Sequence, residues 1–259
     1  NTTHNYVTVE GLVNFNSQIE FRTIVHYIND TDAIRAYLEN PDTDFHQWVA
    51  DVCRVGRRPA KTINFMMGFG GGEKKTVATL SNVMEVVADV NEQLDVLVSQ
   101  GKISESQRMT AFSVMCTQRA KDVYSTYHRT LPTLKSTSRR ASRVCCERGY
   151  VFNVHGRRRH IPIERAHIAF NAINQGEAAD IMKERMVALH VNVLPKWQDT
   201  YMVASVHDEA LIEGPTEVIE DPRFKEEVVT CMETLDLPLR VPVRISVGTS
   251  RSNWREASG

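Results

Sequence analysis

No run of apolar residues in this sequence approaches the ~18 needed to cross a bilayer, so no membrane-spanning helix and no membrane partner are expected. Asn1 to Tyr6 have neither the charged start nor the apolar stretch of a secretory signal. An initiator Met is missing too, which reads as a processed or an engineered boundary. Cysteine is sparse: Cys53, Cys116, Cys145, Cys146 and Cys231 are odd in number and share no repeated spacing, which argues against a disulfide framework. The adjacent pair Cys145 and Cys146 suits neither a CxxC zinc site nor an ordinary disulfide. A reducing cytoplasm is the simple expectation. Excess charge is also absent, because the net charge is −1 and composition alone points to no nucleic acid. Neither an internal repeat nor a low-complexity linker is visible.

What is present is an ordinary globular composition of 259 residues, 42% hydrophobic and 24% charged, enough for one large domain or two modest ones. The charges are clumped. Arg54, Arg57, Arg58 and Lys61 form one basic group, Arg139, Arg140 and Arg143 a second, and Arg157, Arg158 and Arg159 a third. Acids gather at 209–227. Most such clusters are solvated faces, but three arginine groups in a near-neutral chain raise the case for a phosphate-binding track.

Val7, Val9 and Leu12–Val13 give a short strand signal. Phe21, Ile24, Val25 and Ile28 then fall at helical spacing. Residues 29–32 end that helix and cap the next, and Pro41 precedes a further helix marked by Phe45, Trp48, Val49 and Val52. Residues 57–69 read as a helix with Pro59 in its first turn, stopped by Gly70-Gly71-Gly72. Residues 76–99 and 104–128 read as a long helical pair. A hairpin is expected around His155-Gly156, one long helix over 165–193, and two strands over 201–206 and 210–213 joined at His207-Asp208. A helix near 223–234 and a strand over 239–247 close the chain. Strands at both ends around a helical middle imply an α+β fold, a small sheet domain with a helical insertion.

Three constellations could carry chemistry. Arg57, Lys61, Phe65 and Phe69 are four apart, so one helix face offers two cations and then two rings. Such a face can grip a triphosphate and stack a base. The bland alternative is a basic surface stripe that runs into a core stripe. Ser205-Val206-His207-Asp208-Glu209 places acids at a tight strand–strand turn, a rigid tip suited to a hard cation, although Asp is common in turns in any case. Asn171 and Gln175, one helical turn apart, can read minor-groove acceptors or simply face water.

Taken in order, these segments resemble family A DNA polymerases. Ser17-Gln18-Ile19-Glu20-Phe21-Arg22 resembles motif A, Arg57 through Phe69-Gly70 resembles motif B, and Val206-His207-Asp208-Glu209 resembles motif C. Asp44-Phe45-His46 with Ala50, Gly149-Tyr150-Val151, Gly156-Arg157-Arg158, Asn171 through Gln175-Gly176 with Ala178-Ala179-Asp180, and Val241-Pro242-Val243 to Asn253-Trp254 have counterparts too, so the resemblance covers nearly the whole chain. It implies a palm at 1–38 and 176–259 with fingers at 39–175. It further implies DNA primer–template and dNTPs as partners, and two Mg²⁺ as cofactor. Arg57 and Lys61 would hold the dNTP phosphates, Phe65 would stack near its sugar and base, and Phe69 would guard the templating base. Glu20 would exclude a ribose 2′-OH, which argues against a single-subunit RNA polymerase relative, and Gln18 would join it in binding the nucleotide. His207 would lie by the primer terminus. Asn171, Gln175, Arg157 and Arg158 would meet DNA. His167 stands where many relatives have Arg, a phage-like variant whose compartment would be the host cytoplasm.

The reaction implied is phosphoryl transfer between two metals about 3.5–4 Å apart, held by carboxylates from motifs A and C. Asp208 supplies one, beside Glu209. The other is missing: five residues before Glu20 lies Phe15, which offers only a backbone carbonyl, and one further back lies Asn14, an amide in place of the expected Asp. An amide oxygen can touch a metal but cannot offset its charge. An engineered Asp→Asn and natural divergence remain alternatives, and so does a non-catalytic nucleic-acid-binding or assembly protein that keeps the fold. Only about 13 residues precede motif A, so thumb and exonuclease-like parts are expected from another chain or a missing segment.

Overall fold

The computed structural model describes residues 11–14, 18–68, 71–206, 209–237 and 239–250, and within these the side chains from Ile19 onward. Val7, Val9 and Asn253-Trp254 lie outside them. In chain order, β1 (Gly11–Asn14) leads to α1 (Gln18–Ile28), α2 (Thr31–Glu39), α3 (Phe45–Cys53) and α4 (Arg57–Gly68). Two aspartates start helices by capping free N–H groups. Asp30 accepts from Ala33 N at 3.2 Å, and Asp44 accepts from His46 N at 2.9 Å and Gln47 N at 3.2 Å. Pro59 sits in the first turn of α4, where its missing N–H is no loss.

The helix expected over 76–99 is two, α5 (Glu73–Leu80) and α6 (Met84–Ser99). Ser81 N still bonds Val77 O at 2.9 Å, but Asn82 N turns to Thr79 O at 3.2 Å while its own Nδ2 donates to Ala78 O at 2.8 Å, so a side chain takes the carbonyl that a continuous helix would need. α7 (Glu105–Thr130) opens on a Ser104–Gln107 capping box. α8 (Pro132–Arg148) was not anticipated from the sequence. Its signals are Pro132 in the first turn, buried Leu134, Ala141 and Cys145, and Gly149 at φ 75°, a left-handed cap that favours glycine.

The hairpin pairs β2 (Tyr150–Phe152) with β3 (Arg158–His160). The long helix begins later than expected, as α9 (Ala169–Asn192), after a 3-10 turn over Ile163–Ile168. That turn starts at Pro162, whose carbonyl accepts from Arg165 N at 2.9 Å in the tighter i→i+3 pattern. Then come β4 (Tyr201–Val206), β5 (Glu209–Glu213), α10 (Thr216–Ile219), α11 (Pro222–Glu233) and β6 (Ser246–Gly248). The strand expected over 239–247 pairs only from Ser246. Before it, Pro242 has no N–H to give a ladder. The nearby backbone bonds side chains instead: Arg240 N reaches His26 Nδ1 at 3.1 Å, Ile245 N reaches Glu233 Oε1 at 3.0 Å, and Arg22 donates to Pro242 O.

Strands from both chain ends thus form one antiparallel sheet in the order β4-β5-β1-β6. The larger core joins α1 to α4, α8, β2 and the first turn of α9. A second core joins Ala210 and Ile212 of β5 to the later part of α9 and to α11. α9 belongs to both, with Phe170 and Ala172 in the first and Ala178, Ile181 and Leu189 in the second. α4 lies close on α1 at Gly68, where an added Cβ would come within 2.5 Å of Ile24 Cδ1. These contacts seat α4, α9 and the sheet around α1.

Candidate functional site

The backbone register gathers the ends of four strands. Asn14 pairs with Glu209 on one side and with Ser246 on the other, while Val206 pairs with Glu209 across β4 and β5. Directly opposed residues in an antiparallel pair have Cα atoms about 4.5–5.5 Å apart. Glu209 therefore faces β1 at Asn14. His207, Asp208 and Phe15 lie outside the described residues, as do Phe69 and the side chains of Asn14 and Gln18. Ala210 and Ile212 are buried in the core beneath the sheet, and alternation along β5 turns Glu209 to the other face.

On α4, Arg57 and Lys61 rise from one face. Arg57 Nε donates to Asp44 Oδ2 at 2.6 Å. Partial burial pushes the Asp44 carboxyl up, but the Arg57 bond and the N–H groups of Gln47 and His46 outweigh it and hold it below the ordinary range. Lys61 forms no ion pair among the described residues, and its Nζ lies 5.9 Å from the Phe65 ring centroid. Beneath Phe65 sits His46, ring centroids 5.8 Å apart. His46 is buried, and Asn64 Nδ2 meets its Nδ1 at 2.7 Å. Burial is the main reason its pKa falls to about 4; Lys61 and Arg57 add to the fall, and Asp44 opposes it. A neutral His46 thus underlies the ring, a part for which sequence reading had assigned no role. Glu20 is half-buried in the first turn of α1, and three residues on Thr23 Oγ1 lies 2.5 Å from Asn174 Oδ1 of α9.

On α9, Gln175 is exposed and Asn171 half-buried, its Oδ1 accepting no hydrogen bond from the protein. His167 is exposed in the turn before. The hairpin residues expected at DNA differ from one another. Arg158 lies over Tyr150 and Phe152, 4.8 and 5.4 Å from their centroids. Arg157 is taken up within the protein. Its Nε donates to both Asp180 oxygens at 2.9 and 2.7 Å, its NH2 donates to Oδ1, and Asn153 Nδ2 adds a bond to Oδ2 at 2.7 Å.

Next to it lies a network that sequence reading missed. His155 at the hairpin tip meets Glu177 Oε1 through Nδ1 and Glu184 Oε2 through Nε2, both at 2.8 Å. Glu177 is fully buried and also accepts from Tyr27 OH and Val154 N, each at 2.9 Å. Burial lowers the His155 pKa, yet the two carboxylates raise it further, so the ring is held protonated with both nitrogens donating. The available signal was a His at a hairpin tip ahead of a helix whose acids recur seven apart, two turns on one face.

Among the described residues no three or more His, Cys, Asp or Glu side chains converge as a metal site, and no helix is long and apolar enough to cross a membrane. Comparison with known proteins places this geometry. The family model for DNA polymerase family A matches residues 103–256. DNA polymerase DpoZ of Salmonella phage PMBT28 is 31% identical over 251 residues, covering 93% of this chain and 37% of that protein. The thermostable DNA polymerase I of Thermus aquaticus is 28% identical over 261 residues, 93% of this chain and 26% of its own length. Among solved structures, the POL domain of Pol1 from M. smegmatis, in complex with DNA primer-template and dNTP, superposes with a TM-score of 0.72 at 26% identity, covering 99% of this chain and 41% of that one. The chain thus spans well under half the length of the relatives it matches. With an α+β fold of mostly helices on a small antiparallel sheet, this chain belongs to DNA polymerase family A.

Proposed function

We propose that this chain is the palm-and-fingers part of a template-directed DNA polymerase, with palm at 1–38 and 176–259 and fingers at 39–175. The observation that carries the reading is the register of Asn14 opposite Glu209, which brings the motif A strand beside motif C. The α4 face supports it by offering Lys61 and Phe65 to a nucleotide, with Arg57 held ready by Asp44. Asn171 and Gln175 on α9, together with His167 and Arg158, are the surface that would follow a duplex; the similar Pol1 domain is solved in complex with DNA primer-template. Positively charged and minor-groove contacts of that kind do not depend on metals.

Family A DNA polymerases generally use divalent metals. The donors of this chain, Asp208 and Glu209 with an amide at Asn14 or the carbonyl of Phe15, do not fit two Mg²⁺. An amide or a backbone carbonyl in place of the second carboxylate leaves the second ion's charge unbalanced. Binding of primer–template without efficient turnover is therefore the expected behaviour. This departure is also what favours the second reading, a nucleic-acid-binding protein that retains the polymerase fold.

Primer extension by the chain and by Asn14→Asp, each with and without a chain supplying the thumb, separates them. The polymerase reading expects weak or no extension by the unmodified chain and a gain on Asn14→Asp. Robust extension without the substitution would show motif A to be misplaced. No gain with the thumb supplied, while DNA is still bound, would favour the binding protein.

A further inference from the structure

A cavity of about 320 Å³ opens between α8, the β2–β3 hairpin, α1 and α9, and none of the residues assigned above to nucleotide or duplex lines it. Its walls are two pairs of rings set edge to face: Tyr27 with Phe170 at 6.4 Å and 85°, and Tyr150 with Phe152 at 5.2 Å and 74°. The Tyr27 ring is fixed, since its hydroxyl donates to Glu177 at 2.9 Å and accepts from Val154 N at 3.0 Å. Phe152 is 43% exposed, with Arg158 over its ring at 5.4 Å, so one face meets a cation and the rest of the ring remains accessible. At the rim stand Arg140 and Arg148, exposed and without an ion-pair partner among the described residues. Eight residues apart on α8, they are separated by about 12 Å along the axis. No Asp or Glu lines the cavity.

We propose that this cavity seats one unpaired nucleotide of single-stranded DNA, its base against the aromatic walls and the flanking phosphates on Arg140 and Arg148. Every base has a π-face that stacks on aromatic rings, and unpaired guanidinium groups bind phosphate through charge-assisted bonds. Neither an acidic peptide nor a lipid surface would use both the flat rings and two separated cations. The volume is at the lower end for a small-ligand site and suits one nucleotide rather than a duplex. The inference rests on the DNA-binding reading above and adds to it a station for a strand outside the duplex.

The test uses a hairpin DNA in two forms, one blunt and one with a 5′ overhang carrying 2-aminopurine, titrated onto the whole chain. The overhang should tighten binding about tenfold over the blunt form and quench the 2-aminopurine. Phe152→Ala should remove the quench and most of that gain. Arg140→Ala and Arg148→Ala should each reduce the salt dependence of overhang binding by about 0.7 in log–log slope. Arg140→Ala and Arg148→Ala should leave blunt-hairpin binding unchanged; for Phe152→Ala, whose ring packs against Arg158, an unchanged thermal unfolding midpoint shows that the variant folds. Blunt binding with no added affinity from the overhang, or a quench that survives Phe152→Ala, overturns the proposal. Displacement of the overhang by free dAMP would overturn the strand assignment in favour of a mononucleotide. Failure of both DNA forms to bind would overturn the broader DNA reading, and this inference with it.

Discussion

Two basic surfaces flank the chain's central helices, and they use their charge in opposite ways. On the α4 face Lys61 has no ion-pair partner among the described residues, and Arg57 has one bond to a carboxylate that also caps α3. At the hairpin on α9, His155 is held by two carboxylates and Arg157 by a two-oxygen grip on Asp180. Sequence patterns alone made these surfaces look equivalent, as runs of arginine and lysine. Internal pairing separates them rather than exposure: the Arg57 and Arg157 side chains are each 49% exposed, but Arg157 is gripped by two carboxylate oxygens and His155 by two carboxylates. A cation with few internal partners remains available to a ligand, whereas one whose donors are already taken by carboxylates does not.

The largest effect that could break this comparison is expected from Glu177→Ala. Glu177 is fully buried and accepts from Tyr27, Val154 and His155. Its removal leaves the half-buried His155 imidazolium with Glu184 alone and the Tyr27 hydroxyl without its acceptor, while Val154 N keeps Tyr27 OH, a loss of about 3–5 kcal/mol once the buried space left by the side chain is included. The midpoint of urea unfolding measures it. A loss no greater than that of an exposed substitution, about 0.5 kcal/mol, would mean that the hairpin is not locked to α9.

The next effect is acid sensitivity. A buried histidine held at a pKa of about 4, against 6.5 unfolded, takes up its proton more readily in the unfolded chain. Stability is therefore lost as pH falls from about 6.5 toward 4, by roughly 3 kcal/mol from His46. Burial lowers His26 and His128 in the same direction. His155 runs the other way. Its raised pKa gives a contribution complete below about 6.5 and lost as pH rises through its folded value. Unfolding midpoints across pH 4–7 should show a slope that His46→Gln reduces and His155→Gln does not.

Lys61→Ala sharpens the contrast from the other side. It should weaken dNTP affinity by about 1–3 kcal/mol while stability stays within about 0.5 kcal/mol. Nucleotide titration beside thermal unfolding distinguishes the two. Unchanged titration would remove α4 as the nucleotide face.

Much of this was legible because it rests on local rules. Periodicity marked α1, α3 and α4, and turn residues marked both hairpins. The break at Ser81–Asn82 was hidden because one short polar side chain, Asn82, ends the helix by bonding the Ala78 carbonyl already within reach, while the apolar pattern runs through. α8 was overlooked although Pro132 and Gly149 bracket it, because its arginine-rich face drew attention to charge and away from buried Leu134 and Cys145. Motif spacing singled out α4 and α9 as candidate ligand-facing elements. It could not show that Arg157 is paired internally, since Asp180 lies 23 residues away in sequence and meets it only through the fold. His46 escaped notice for the same reason: nothing local shows that its ring lies beneath Phe65.

The smallest effect concerns Asp44, which takes part in both kinds of use. Its Oδ1 caps α3 through His46 N and Gln47 N, and its Oδ2 holds Arg57. A cap is worth about 1 kcal/mol and is retained by serine. The pair with Arg57 is partly exposed on both sides, at 49% and 30%, so water screens it and it contributes a fraction of a kcal/mol. Asp44→Ala should therefore cost about 1–1.5 kcal/mol and Asp44→Ser about 0.5 kcal/mol or less. Serine would free the Arg57 guanidinium without unwinding α3, so nucleotide affinity at low salt should hold or rise. If Asp44→Ser lowers affinity as far as Lys61→Ala does, then Asp44 is needed to aim Arg57, and the α4 face is prearranged in the way the hairpin junction is.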